Sequence, residues 1–222
     1  MKPSSMVALL DSRLRFPDPR RADAEGLVAI GGDLSVPRLL QAYQSGVFPW
    51  TVDPITWWSP DPRAVIELNS FQPPRSLSKL LRRQPFEVTA DQAFKQVMEG
   101  CAAPARGRRS TWITREFIEA YTRLHASGHA HSIECWQKGK LVGGIYGVSI
   151  GGFFAGESMF HSVSNASKVA LCHLVARLRE RGFALFDVQM VTPVTRLLGA
   201  AEILRADYLT RLKAATRSAC SF

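Results

Sequence analysis

Four positive charges crowd one short stretch of this chain, from Arg75 to Arg83. At about 100° per residue, Leu77, Leu80 and Leu81 share one side of a helix, while Arg75, Lys79, Arg82 and Arg83 share the other. Surface helices normally mix signs, so a stripe without Glu or Asp suits a phosphate-binding face as well as a solvated one. Arg106, Arg108 and Arg109 form a second basic cluster on an expected loop. Upstream, residues 16–63 mix prolines, charges and paired glycines, and Trp50, Trp57 and Trp58 fall within nine residues. These rings either pin the loops of a small α+β unit or form a stacking platform for bases.

Other chemistry is excluded by what the sequence lacks. No GxGxxG dinucleotide loop, GxxxxGK phosphate loop or GxSxG nucleophile elbow is present. His125, His129 and His131 lie close in sequence, but there is no HExxH, and Gly128 interrupts any shared helix face; no metal site is expected. Cys101, Cys135, Cys172 and Cys220 are far apart and include no CxxC pair, so neither a zinc site nor a disulfide framework is expected, and a reducing cytoplasm is.

The 222 residues carry 28 Lys and Arg against 19 Asp and Glu, a net charge of +9. That excess points first to a nucleic-acid partner. With 46% hydrophobic and 21% charged residues, the chain is composed like a globular protein with a sizeable core. The apolar stretch from Met6 to Leu10 is too short for a signal-peptide core. The longest uncharged run, Leu141 to Gly156, holds six glycines and falls short of the roughly 20 residues that span a bilayer. No membrane association is expected.

The elements that must position these residues follow from periodicity. Ser35 caps a short helix that Gly46 ends, and helical patterns run from Asp91 to Cys101 and from Thr114 to Ser127. HSIECWQ, LVGGIYGVSI and GFFAGESMF read as three strands, with a turn at Lys138 to Lys140. A helix from Asn165 to Arg181, a buried strand FALFDVQM and a helix from Ala206 to Arg217 follow. The expectation is α+β, an antiparallel meander feeding a right-handed βαβ unit. That order is the order of acyl-CoA N-acetyltransferases, yet the turn that should cradle pyrophosphate reads HSVSNASK, without glycine.

GLVAIGGDL, QAYQSGVFPW, WWSPDPRAV, STWIT, AYTRLHASGHAHSIE, LVGGIYG, GESMF, NASKVAL, FDVQ and LGAAEILR occur in this order. Together they resemble the leucyl/phenylalanyl-tRNA–protein transferases from about Phe16 to Leu212. The resemblance implies a small N-terminal α+β domain (1–63) and a C-terminal acetyltransferase-like (GNAT-like) domain (64–222). It also implies transfer of leucine or phenylalanine, with methionine as a further candidate donor, from aminoacyl-tRNA to proteins beginning with Arg or Lys, marking them for degradation (the N-end rule pathway). No cofactor is implied. An aminoacyl ester is already activated, and an α-amine with a pKa of about 7.7–8.0 is partly neutral at physiological pH.

The resemblance implies site residues as well. Asp187 and Gln189 match the family's catalytic pair, expected on one side of a strand with Asp187 accepting from the Gln189 NH₂, and Glu157 matches another functional position. Ile145, Met159, Leu171, Leu174 and Phe186 match the pocket for the leucyl or phenylalanyl side chain. Tyr43, Trp50 and Trp112 match aromatics near the terminal adenosine, and Arg75, Lys79, Arg82 and Arg83 match a basic helix facing the tRNA. The chain departs from the family pattern at Thr192, Val194 and Leu197, where an Asn, a His and a Ser are usual, and at Leu174, where an aromatic is common. An acyl-CoA N-acyltransferase and a non-catalytic tRNA-binding module are the alternatives.

Overall fold

The computed structural model describes residues 7–104 and 111–222; Met6 and the Arg106, Arg108 and Arg109 cluster lie outside them. In chain order the elements begin with β1 (Ala8–Leu10), β2 (Leu27–Gly31), α1 (Val36–Gln44), β3 (Phe48–Val52) and β4 (Ile55–Trp58). Next come β5 (Arg63–Ile66), α2 (Arg75–Arg82), β6 (Glu87–Ala90), α3 (Phe94–Ala102) and α4 (Arg115–Ala126). The rest is β7 (Ala130–Gln137), β8 (Lys140–Ile150), β9 (Phe153–His161), α5 (Ala166–Glu180), β10 (Leu185–Gln189), α6 (Pro193–Leu197), β11 (Ala200–Ile203) and α7 (Arg205–Ala215).

Two sheets form. The smaller is ordered β1-β2-β4-β3, and the larger β11-β5-β10-β9-β8-β7-β6. The expected meander is β7, β8 and β9, antiparallel throughout; α5 then crosses over so that β10 pairs parallel to β9. Strands β5, β6 and β11, which periodicity did not disclose, extend the sheet on both sides. Each has only four residues, too few for a period-2 signal to emerge from its flanking turns. The helix expected from Asp91 begins at Phe94, because Asp91 has φ 59°, outside helical space.

The large sheet is buried on both faces. On one, Leu39, Tyr43, Phe117, Tyr121, Tyr208 and their neighbours join the small sheet, α1, α3, α4 and α7 into a single apolar core. On the other, α5 lays Leu171, Leu174, Val175 and Leu178 against Ile133, Ile145, Phe154 and Phe186, and α2 packs beside it through Leu77. Helix α1 starts as the sequence predicts, with Ser35 Oγ accepting from the Arg38 N–H and Pro37 in the first turn. It stops at Gly46, where φ is 79° and a Cβ would strike Leu209 of α7. Trp57 is wholly buried and donates Nε1–H to the Gly31 carbonyl at 2.8 Å, so this ring pins the loops rather than offering a face to bases.

Candidate active site

The site lies where two strands part. The parallel pairing of β9 with β10 ends at Ala155 opposite Asp187, and beyond it the strands diverge. A cavity of about 270 Å³ occupies the gap. Its inner wall is Ile145, Met159, Leu171 and Val188, its mouth includes Trp50, Trp112 and Met190, and Glu157 and Gln189 face it from the two strands.

Each polar residue is aimed by an irregularity in its strand. In β9 the pairing with β8 steps from Tyr146 opposite Ser158 to Gly147 opposite Gly156, leaving Glu157 as the extra residue of a bulge. Gly147 makes this possible, since a Cβ there would run into the Ala155 carbonyl. In β10 the pairing with β5 steps from Asp187 opposite Val65 to Gln189 opposite Ala64, which makes Val188 the extra residue. Gln189 itself adopts φ 64°, a left-handed conformation costing a non-glycine residue about 1 kcal/mol. The expectation that Asp187 and Gln189 share a face through regular strand alternation is corrected by this bulge. Asp187 is fully buried behind the cavity, and Gln189 lines it.

The hydrogen bonds correct a second expectation. Asp187 does not accept from the Gln189 carboxamide. Its Oδ1 accepts from Arg63 Nε at 2.9 Å and from the Gln189 backbone N–H at 2.8 Å. Its Oδ2 accepts from Arg63 Nη2 at 2.6 Å and from the Tyr208 hydroxyl at 2.8 Å. With two donors on each oxygen, the carboxylate has no capacity left for a side-chain amide. The Gln189 Nε2 instead donates to Glu157 Oε1 at 2.9 Å, and no described group donates to Gln189 Oε1. Burial works against the Arg63 cation, but the Asp187 carboxylate more than offsets it and holds the arginine pKa above its ordinary value.

Glu157 is the titratable group that faces the cavity. Burial pushes its carboxyl up to about 7, against the neighbouring Tyr43 hydroxyl and the hydrogen bond from Gln189. A carboxylate poised near neutrality, beside a carboxamide oxygen with spare lone pairs, can hold an amine and take up a proton.

The structure gathers some of the expected residues and separates others. Ile145, Met159, Leu171, Trp50 and Trp112 line the cavity with Glu157 and Gln189. Leu174 and Phe186 do not: both belong to the core beneath, where Phe186 comes within 3.0 Å of where a Cβ on Gly156 would sit. Tyr43 is also absent from the wall, being buried with its hydroxyl 2.5 Å from that of Tyr121. Arg75, Lys79, Arg82 and Arg83 are exposed on or just beyond α2, without ion-pair partners among the described residues. Of the departures from the family pattern, Thr192 lines the cavity and caps α6 with Thr195, whereas Leu197 points away as an exposed side chain.

Sequence reasoning missed Arg63 and Tyr208, which lie 124 and 21 residues from Asp187 and carry no spacing signal. The histidines do not converge. His131 Nδ1 bonds Asp91 at 2.7 Å, His125 Nδ1 bonds the Ala130 carbonyl at 2.7 Å, and no described cluster of three or more His, Cys, Asp or Glu is placed to hold a metal. Among the described residues, no helix is long and apolar enough to cross a membrane.

A buried carboxylate and a carboxamide over an apolar slot suit the class of enzymes that transfer acyl groups to amines. Residues 65–213 match the family model for leucyl/phenylalanyl-tRNA protein transferase, and residues 32–61 match the model for that family's N-terminal domain. A leucyl/phenylalanyl-tRNA–protein transferase of Nitratidesulfovibrio vulgaris (strain DP4) is 50% identical over 215 residues, covering 96% of this chain and 92% of the relative. One from Pseudoalteromonas atlantica is 49% identical over 212 residues, covering 94% and 91%. The chain belongs to this family of aminoacyltransferases. Among solved structures, L-PGS from Bacillus licheniformis aligns at 13% identity with a TM-score of 0.42, over 75% of this chain and 54% of that one.

Proposed function

We propose that this protein transfers leucine or phenylalanine from aminoacyl-tRNA to proteins that begin with Arg or Lys, and that the cavity between β9 and β10 is where the amide bond forms. The observation that carries the placement is Glu157, bulged into the cavity and tied to Gln189. The acyl side chain would enter the slot of Ile145, Met159 and Leu171, with the terminal adenosine against Trp50 and Trp112 at the mouth. Leu174 and Phe186 would set the slot's depth from beneath, and Tyr43 would act from behind the site.

In this reading Gln189 Oε1 accepts a hydrogen bond from the acceptor's α-amine and orients its lone pair toward the ester carbonyl. The nitrogen bonds to the carbonyl carbon, and the bond from that carbon to the ribose oxygen breaks. Glu157 takes the proton from nitrogen and delivers it to the departing oxygen. No ATP enters the balance, because the ester is already activated. The basic face of α2, with Arg75, Lys79, Arg82 and Arg83, would hold tRNA phosphates. Residues 1–63 would form the N-terminal domain and residues 64–222 the catalytic one, and the site of action would be the cytoplasm, where charged tRNA is found.

Purified protein is mixed with Leu-tRNA or Phe-tRNA and a peptide beginning with Arg, without ATP or coenzyme A. The peptide should gain the mass of one leucyl or phenylalanyl residue. Failure with both donors, in folded protein that still binds tRNA, overturns the assignment.

A further inference from the structure

We infer that Tyr208 and Arg63 are positioning residues for Gln189, acting on its backbone through Asp187. This rests on the reading of Gln189 as the group that orients the amine, and it changes what Asp187 is for. Asp187 cannot polarise the Gln189 carboxamide, because that amide bonds Glu157 and both aspartate oxygens are filled. What Asp187 holds is the Gln189 main chain, at a residue whose left-handed φ of 64° is what turns the side chain out of the strand and into the cavity.

The grip on Asp187 is itself built from distant parts of the chain. Arg63, at the start of β5, binds it with two prongs, and Tyr208 of α7 donates to Oδ2 while accepting from Arg63 Nη2 at 3.3 Å. The guanidinium is stacked between the rings of Phe48 and Tyr208, 4.8 and 4.4 Å from their centroids, and its Nη1 bonds the Gly46 carbonyl. All three polar side chains are essentially inaccessible to water. A carboxylate fixed on three sides has one orientation, and in that orientation an Oδ1 lone pair meets the Gln189 N–H. Loosening the carboxylate therefore lets the bulge relax toward ordinary strand geometry, which withdraws the Gln189 oxygen from the amine without touching the tRNA-binding surfaces. The loss belongs to the rate of transfer and not to binding.

The test is a cycle of Tyr208→Phe, Gln189→Ala and the double variant. Single-turnover transfer from Leu-tRNA to an Arg-starting peptide is measured, together with the Kd for uncharged tRNA. Tyr208→Phe removes one hydrogen bond and keeps the ring, so the rate should fall roughly 10-fold with the Kd within about 2-fold of wild type. In the Gln189→Ala background the same change should slow transfer no further, because the orienting group is already gone. Arg63→Lys, which keeps the charge and loses the fork, repeats the test through the other partner should Tyr208→Phe not fold. A Tyr208→Phe loss that carries over in full onto Gln189→Ala, or no loss at all, overturns the positioning role. Gln189→Ala at the wild-type rate overturns the site reading itself, and the positioning role falls with it.

Discussion

Replacing Asp187 by Ala should destabilise the fold before it can be read as a change in chemistry. The substitution strands the Arg63 guanidinium, whose side chain is 1% exposed, and removes the acceptor for the Tyr208 hydroxyl and the Gln189 N–H. Removing one partner of a buried ion pair typically costs about 3–5 kcal/mol. A chain of this length loses roughly 2–4 °C of Tm per kcal/mol, so the midpoint should drop by roughly 6–20 °C. Removing the cation as well, in Arg63→Met with Asp187→Leu, should recover at least half of that loss, since an apolar pair of similar bulk leaves no unpaired charge. Thermal unfolding followed by circular dichroism at neutral pH measures all three proteins. An Asp187→Ala midpoint within about 2 °C of wild type would refute the reasoning, because a buried ion pair cannot be broken so cheaply. So would a double variant no more stable than the single one.

Three further outcomes follow from the same geometry. Because burial raises the Glu157 carboxyl from 4.5 to about 7, the folded protein keeps a proton between those values that the unfolded chain has released. Stability conferred by this group therefore falls as pH rises through that window, by about 3 kcal/mol in all, and urea unfolding of Glu157→Gln should lack that fall; a pH-independent difference between the two proteins would contradict it. Leu171→Phe fills the slot and should cut transfer of phenylalanine relative to leucine by roughly 10-fold, whereas Leu174→Phe overpacks the core and should cost about 1–3 kcal/mol of stability. An unchanged ratio of the two kcat/KM values in Leu171→Phe would remove that residue from the slot. Replacing Arg75, Lys79, Arg82 and Arg83 together by Ala should weaken charged and uncharged tRNA alike and flatten the log–log salt dependence by roughly 0.7–0.9 per lost contact; an unchanged slope would assign the stripe to solvent.

How far the sequence discloses this arrangement depends on the length scale of each signal. The long elements β7, β8, β9, α5 and α7 are legible because each runs for eight or more residues between turn signals, and the meander with its crossover follows from their order. The four-residue strands β5 and β6 give no such signal, although β5 carries Arg63 into the heart of the site. Glu157 and Gln189 come from the family's motifs, but the bulges that aim them do not. A bulge replaces alternation over a single residue, and only the tight Gly147 hints at it. That Leu174 and Phe186 lie beneath the cavity lining, and Tyr43 behind it, is not legible in the motifs for the same reason. A motif match fixes position in the chain, whereas reaching a cavity depends on which layer of side chains faces it. Leu171 and Leu174 are one helical turn apart on α5, and only the first reaches the cavity.

The placement of the chemistry is tested most directly by the pH dependence of single-turnover transfer in wild type and Glu157→Gln, with the acceptor peptide saturating. In wild type the rate should rise with pH through an inflection at about 7, from the Glu157 carboxyl, and level off above the α-amine pKa of about 7.7–8.0. Glu157→Gln should lose the inflection at about 7, keep the one from the amine, and run at least about 100-fold slower at its plateau, with tRNA binding intact. A variant that keeps both the rate and the pH profile of wild type would show that the proton leaves by another route and that the bond forms elsewhere.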